Sequence, residues 1–296
     1  MASPVAIWRA QSSVTRGILA MVLSTVAFSA MHAMIVAITR DLHPFQVAFF
    51  RNVFAILMFT PLFWQSGLSF LRTDRIWMHV LRASLNVVAM LMFFTGLAMT
   101  PIARVTALSF TAPLFMALLS VIIFRERMVS ARWIALIAGF AGTMIVMRPD
   151  VAAWDVGALL VLASALIWAF TMVTIKALSR TDSSITITGY MAILLTLLSF
   201  GPALWVWTWP TQEQFLWLAV IGATGTLAQL SLAEALKRAD ATAVMPFDFL
   251  KLVWASLLGF MIFDQVPALP TWIGGAVIFG AGLLVIYHES GRQRRQ

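Results

Sequence analysis

The chain has 296 residues, of which 61% are hydrophobic and 11% charged, with a formal net charge of +8 and no cysteine. Soluble domains carry roughly 25% charged residues, so a water-soluble globular fold is excluded, as are disulfides and thiolate metal sites. The basic residues fall mainly in short loops, which points to membrane orientation and away from nucleic acid.

A bilayer core about 30 Å thick is crossed by about 20 apolar residues in helical form. Ten runs meet that length, at about 17–39, 45–64, 76–99, 103–124, 131–148, 154–178, 183–207, 213–237, 241–263 and 270–288. They greatly exceed barrel strands, so the expected class is all-α: a polytopic membrane protein with ten transmembrane helices. The first run follows Arg9 and Arg16 but is too long for a signal-peptide core of 7–15 residues, so it reads as a retained span. It carries Ser24, Phe28 and His32 at intervals of four, one helical face. In the second run Arg51 and Asn52 lie about 9–10 Å in from the outer side.

The third run places His79, Arg82 and Asn86 on one stripe. Arg82 either snorkels to the interface, makes a structural pair or serves a gate. Thr100-Pro101 ends this run, since proline clashes with the preceding turn. Runs five and ten offer small residues at packing spacing, Ala135/Gly139 and Ala276/Gly280, for joining two halves or a homodimer. Run six carries Ser164, Trp168 and Thr171; run seven Tyr190 and a tryptophan belt; run eight Thr226, Gln229 and a solvated Glu234.

Run nine holds Asp248 and Lys251 three residues apart, with Pro246 just before them. Insertion scales assign roughly 2.5–3.5 kcal/mol to each charge at a helix centre. A spacing of three lets them pair on one face, either as a packing device or as a site for substrate carboxylate and proton.

Fourteen basic residues fall on the N-terminal side of the expected membrane: Arg9, Arg16, Arg72, Arg75, Arg125, Arg127, Arg132, Lys176, Arg180, Lys237, Arg238, Arg292, Arg294 and Arg295. Three fall opposite: Arg40, Arg104 and Arg148. That bias places both termini in the cytoplasm. Shifting the chain by about 140 residues aligns Gly17 with Gly157, Ser24 with Ser164, Phe28 with Trp168 and Trp77 with Trp217. Two five-helix repeats follow, 1–149 and 150–296. Five is odd, so the second enters the membrane inverted, an arrangement associated with alternating access and a midplane site.

The segment from Ala103 to Phe115, with Phe124-Arg125-Glu126-Arg127 and Gly139-Phe140-Ala141-Gly142, resembles the EamA family of the drug/metabolite transporter superfamily. A second copy runs from Ala241-Thr242-Ala243 through Phe263-Asp264-Gln265-Val266-Pro267 to Gly274-Gly275 and Gly282. The resemblance covers nearly the whole chain. It implies ten helices, two inverted halves, transport of small metabolites and a cavity lined by spans 1, 3, 4, 6, 8 and 9. Arg104 stands where many relatives carry an acidic residue, and Gln265 where the second copy has glutamate.

The expectation is an inner-membrane carrier of small amphiphilic metabolites, amino-acid export of the YddG type first. A carrier of nucleotide-like metabolites such as S-adenosylmethionine or riboflavin is the alternative. A lipid-modifying enzyme or a channel is the rival from another class. Substrate-cavity candidates are Lys251, Asp248, His32, Asn86, Trp168, Ser24, Ser164 and Gln229. Gate candidates are His79, Arg82, Pro246 and Arg51. No catalytic constellation, phosphate loop of the GxxxxGK[ST] form or HExxH motif is present, and the four histidines are scattered, so no cofactor and no metal are expected. The partners are a small-molecule substrate and the lipid bilayer, with proton coupling and homodimerisation left open and no nucleic acid.

Overall fold

The computed structural model describes residues 12–39, 41–61, 64, 67, 69–99, 105, 108–147, 156–263 and 269–293. The Thr100-Pro101 break, Arg104 and Gln265 lie outside the described residues. The helices are α1 (Ser13–Ile38), α2 (Pro44–Met58), α3 (Ile76–Met99), α4 (Ala112–Phe124), α5 (Ser130–Met147), α6 (Val156–Leu178), α7 (Ser184–Trp205), α8 (Gln212–Arg238), α9 (Leu250–Phe263) and α10 (Leu269–Gln293). No strand occurs among the described residues. Eight segments are long and apolar enough to cross a membrane; α2 and α4 are shorter apolar helices.

Local chemistry sets the starts. Ser12 caps α1 by accepting from the Thr15 amide at 3.2 Å, Ser183 caps α7, and Thr211 with Gln214 forms a reciprocal capping box on α8. Pro44 occupies the first turn of α2, where its missing N–H is harmless. After α4 the chain turns through Arg125 in the left-handed region, φ 54° and ψ 37°. A non-glycine residue there costs about 1–2 kcal/mol.

Two expected spans are interrupted within their length. The helix Pro44–Met58 is capped by Phe59, and helical conformation recurs at Thr60, Pro61 and Trp64. The ninth is broken: a turn of α-helix at Ala241–Val244 passes into a 3₁₀ stretch, Met245–Phe249, before α9 begins. Pro246 lies inside that stretch; it has no amide to donate and its ring clashes with a preceding carbonyl. Asp248 lies in the 3₁₀ stretch and Lys251 in the first turn of α9, and the spacing of three lets them pair.

The principal packing pairs are α1 on α8 and α3 on α6, α1 on α9 and α4 on α6, α2 on α8 and, less extensively, α3 on α7, α2 on α7, and α5 on α10. Each pair maps onto itself or another when the helix numbers are shifted by five. A Cβ on Gly17 would sit 2.7 Å from the Ala239 Cβ, and one on Gly96 2.7 Å from the Gly157 carbonyl; both are antiparallel backbone approaches that only a small residue permits. Large apolar side chains such as Ile122, Leu197 and Leu283 lie exposed on the outside, as a lipid-facing perimeter requires.

One face of the molecule gathers the start of α1, the end of α6 and the end of α8. Ser13 Oγ donates to the Arg238 carbonyl at 2.7 Å, and Lys176 Nζ to the Ala239 carbonyl at 2.9 Å. Arg132 near the start of α5 meets Asp240 at 3.2 Å. Thus α1 starts and α6 ends at the same face. At the opposite face Gln46 clasps Thr208 through both side-chain ends, accepting from the Thr208 hydroxyl at 3.0 Å. Phe50 there packs against Trp207 and Phe215 at 5.4 Å each.

Candidate functional site

A narrow cavity of about 20 Å³, room for about one water molecule, lies between α1, α2, α7 and α8. Its wall includes Phe28, Arg51, Asn52, Thr188, Thr226 and Gln229. The combination is one aromatic face, one guanidinium and several neutral hydrogen-bonding groups. Arg51 Nη2 donates to Asn52 Oδ1 at 3.3 Å. The Thr188 hydroxyl is buried without a hydrogen-bond partner among the described residues. An orphaned polar atom on a cavity wall is a ready contact for a ligand.

Phe28 joins this cavity to the charged pair of the broken helix. Lys251 Nζ stands 4.7 Å from the Phe28 ring centroid and 2.5 Å from Asp248 Oδ1. His32 stacks on the same ring at 6.0 Å. Two hydrogen bonds dock α9 on α1: Ser29 Oγ donates to the Lys251 carbonyl at 3.0 Å, and Trp254 Nε1 to Thr25 Oγ1 at 3.1 Å. Pro246 is buried in the 3₁₀ stretch just upstream.

Behind the cavity, Arg82 is buried and points inward. Its guanidinium donates to the Ile187 carbonyl at 2.8 Å, to Met191 Sδ at 2.9 Å and to Gln229 Oε1 at 3.3 Å. Snorkelling is therefore corrected: three acceptors inside the bundle hold this charge. One turn closer to the face, His79 Nε2 meets Asp182 Oδ2 at 2.7 Å, Thr73 Oγ1 donates to the same oxygen at 2.8 Å, and Tyr190 stacks on His79 at 4.4 Å. Burial would raise the Asp182 carboxyl, yet hydrogen bonds from His79, Thr73 and Thr181 outweigh it and hold the group below its ordinary value of 3.8.

Four candidates lie elsewhere. Ser24 Oγ donates to the Ala228 carbonyl at 2.9 Å and so fastens α1 to α8. Ser164 Oγ is used within its own helix, on the Val161 carbonyl at 2.7 Å. Trp168 is half-buried against the apolar core, and Asn86 is half-buried on α3. None of the four lines the cavity, and α2 and α7, which do, were not among the expected lining helices. Glu234, expected to be solvated, is half-buried and accepts from Ser184 Oγ at 2.7 Å and from Arg238. Gly280 faces open space and Ala276 is exposed, so this pair does not join the halves; α5 and α10 meet instead at Gly142 and Gly274.

Sequence reasoning missed Thr188 and Asp182 altogether. It also counted Lys176 and Arg132 among the loop charges and placed Glu126 only within the family motif. Glu126 pairs with Lys176 at 3.0 Å and accepts from the Ala241 and Thr242 amides at 3.1 and 3.0 Å, fastening the α4–α5 connection across to the start of the broken helix. The usable signal was a carboxylate and a lysine at the ends of apolar runs, where unpaired charges would be costly.

The EamA-like transporter family model matches the chain twice, at residues 15–148 and 155–287. A "Riboflavin transporter" of Rhizobium johnstonii is 35% identical over 284 residues, covering 94% of this chain and 93% of its own. An "S-adenosylmethionine uptake transporter" of Rickettsia bellii is 32% identical over 267 residues, 90% of this chain and 92% of its own. A protein of known crystal structure, 19% identical, superposes with a TM-score of 0.79 over 91% of this chain and 96% of its own, which speaks to the fold.

Proposed function

The chain belongs to the EamA-like transporter family, a multi-pass membrane transporter of small metabolites and not an enzyme, and from that premise we propose that it carries a planar heteroaromatic metabolite of the flavin type across the bacterial inner membrane. The observation that carries this reading is the cavity wall: Phe28 offers a stacking face, Arg51 a cation, and Asn52, Thr188, Thr226 and Gln229 hydrogen bonds for carbonyls and hydroxyls. An uncharged or anionic ligand suits this field. The net positive charge of a ligand such as S-adenosylmethionine would be repelled by Arg51 in the cavity and Lys251 beside Phe28, and offset, among these described residues, by Asp248. The relatives' names favour such nucleotide-like substrates over the amino-acid export expected from sequence.

The transport cycle in this proposal is alternating access by ten spanning helices in two inverted halves, 1–149 and 150–296. The common face of the α1 start and the α6 end supports inversion, as do the packing pairs related by a shift of five. The basic face is then cytoplasmic, with both termini on it. In this cycle the clasp of Gln46 on Thr208 is a contact that must part for the outer side to open, and Glu126–Lys176 and His79–Asp182 are contacts that must part for the inner side to open.

Purified protein in liposomes tests the reading. We expect saturable, ATP-independent uptake of labelled riboflavin, with counterflow against preloaded riboflavin as a carrier requires. Flux of labelled amino acids with none of riboflavin would overturn the substrate class, and conductance without counterflow would overturn the carrier mechanism.

A further inference from the structure

On the basic face a second, larger concavity of about 380 Å³ lies between the α4–α5 connection, the end of α6 and the end of α8. Six basic side chains line it, Arg125, Arg127, Arg132, Lys176, Arg180 and Lys237, against the two carboxylates Glu126 and Asp240. Both carboxylates are already engaged. Glu126 is held by Lys176 at 3.0 Å and by two backbone amides, and Asp240 by Arg132 at 3.2 Å. The remaining four cations, Arg125, Arg127, Arg180 and Lys237, are exposed, and no carboxylate among the described residues pairs with any of them.

We propose that this basin is a binding site for a phosphate-bearing anion, separate from the cavity at Arg51. Three features carry the assignment beyond a loop bias in charge. The four uncompensated cations line one concavity, and a concave wall focuses their field. Three of them are arginines, whose planar fork matches phosphate oxygens two at a time. The Arg180 guanidinium is held over the Phe124 ring at 4.8 Å, and Arg125 sits in a left-handed turn that glycine would occupy at less strain. Phosphate chemistry arrives here from two sources, a soluble phosphate compound or the headgroup of an anionic lipid. The site goes beyond the transport reading and does not rest on it.

Equilibrium binding to the purified full chain in neutral detergent at 0.15 M salt tests it, with inorganic pyrophosphate and short-chain phosphatidylglycerol as separate probes and short-chain phosphatidylcholine as control. We expect saturable binding of at least one anionic probe, weakened with added salt and at least tenfold weaker in the Arg125→Ala/Arg180→Ala variant. Pyrophosphate binding identifies a soluble source and phosphatidylglycerol binding a lipid source. Should that variant fail to fold, Arg127→Ala/Lys237→Ala carries the same expectation. Binding of neither probe, equal binding of phosphatidylcholine, or wild-type affinity in the folded variants overturns the site. None of these readouts involves flux, so failure here and failure of the transport proposal are distinguishable.

Discussion

Arg82 and Gln229 are 147 positions apart in the sequence, and the guanidinium of one meets the amide oxygen of the other at 3.3 Å. Gln229 also lines the cavity, so a buried cation on α3 and the cavity wall on α8 share one side chain. Gln229→Leu removes an acceptor from a buried arginine, which costs about 1–3 kcal/mol. We expect a lower thermal midpoint in detergent and slower transport, with the two effects measured in the same preparation. An unchanged midpoint would mean that Arg82 is satisfied by Ile187 and Met191 alone.

Among the described residues Arg51 makes one side-chain hydrogen bond, to the neighbouring Asn52, so its removal breaks few polar contacts. We expect Arg51→Ala to raise the KM for riboflavin at least tenfold while the thermal midpoint moves little. A fall in turnover number at constant KM would argue that Arg51 acts in closure of the cavity and not in binding.

Asp248 and Lys251 are mostly buried, with side chains 6% and 18% exposed. Breaking a buried pair by removing one partner costs about 3–5 kcal/mol, because a charge is left alone. Asp248→Asn should therefore destabilise strongly, and Asp248→Asn/Lys251→Met should recover much of the loss. A thermodynamic cycle by denaturant titration measures the coupling, expected at about 1–3 kcal/mol.

This pair was legible in the sequence because its partners are three residues apart, and Pro246 signalled the break beside them. The all-helical class and the approximate position of the described helices were legible from the lengths of apolar runs. Partner identity across helices was not. The spacing of His79 and Arg82 gives a shared stripe, yet nothing local to it names Asp182 or Gln229. Lys176 and Arg132 count as loop charges by position, but each is buried because it satisfies carbonyls and carboxylates where helix ends meet. Periodicity reports which side a residue takes, and only packing reports what it meets there.

The Asp182 contacts carry a pH signature. Its carboxyl is held below 3.8 in the folded chain, so its stabilisation is complete above the unfolded value and is lost as pH falls through the folded one. We expect the wild-type thermal midpoint to fall more steeply below about pH 4 than that of Asp182→Asn, read by scanning fluorimetry from pH 6 to pH 3. Parallel curves would remove Asp182 from the acid sensitivity of the protein.

Gly274 and Gly280 should respond oppositely to alanine. A Cβ at Gly274 would lie 2.5 Å from the Gly142 carbonyl oxygen and from Val146 Cγ2, whereas one at Gly280 meets nothing within 4 Å. Overpacking costs about 1–3 kcal/mol, while glycine to alanine in an open helix position gains roughly 0.5–1 kcal/mol. Thermal midpoints of the two variants check the contrast.

The reciprocal contact between Gly142 and Gly274 also limits how this interface can change. At most helix crossings a bulkier side chain on one member is accommodated by trimming its neighbour. Here the obstruction on each side includes main-chain oxygen, 2.8 Å from a Cβ at Gly142, and every amino acid brings the same oxygen. No second-site replacement can shave it away, so a suppressor screen starting from a bulky residue at either position would have to move a whole helix to succeed.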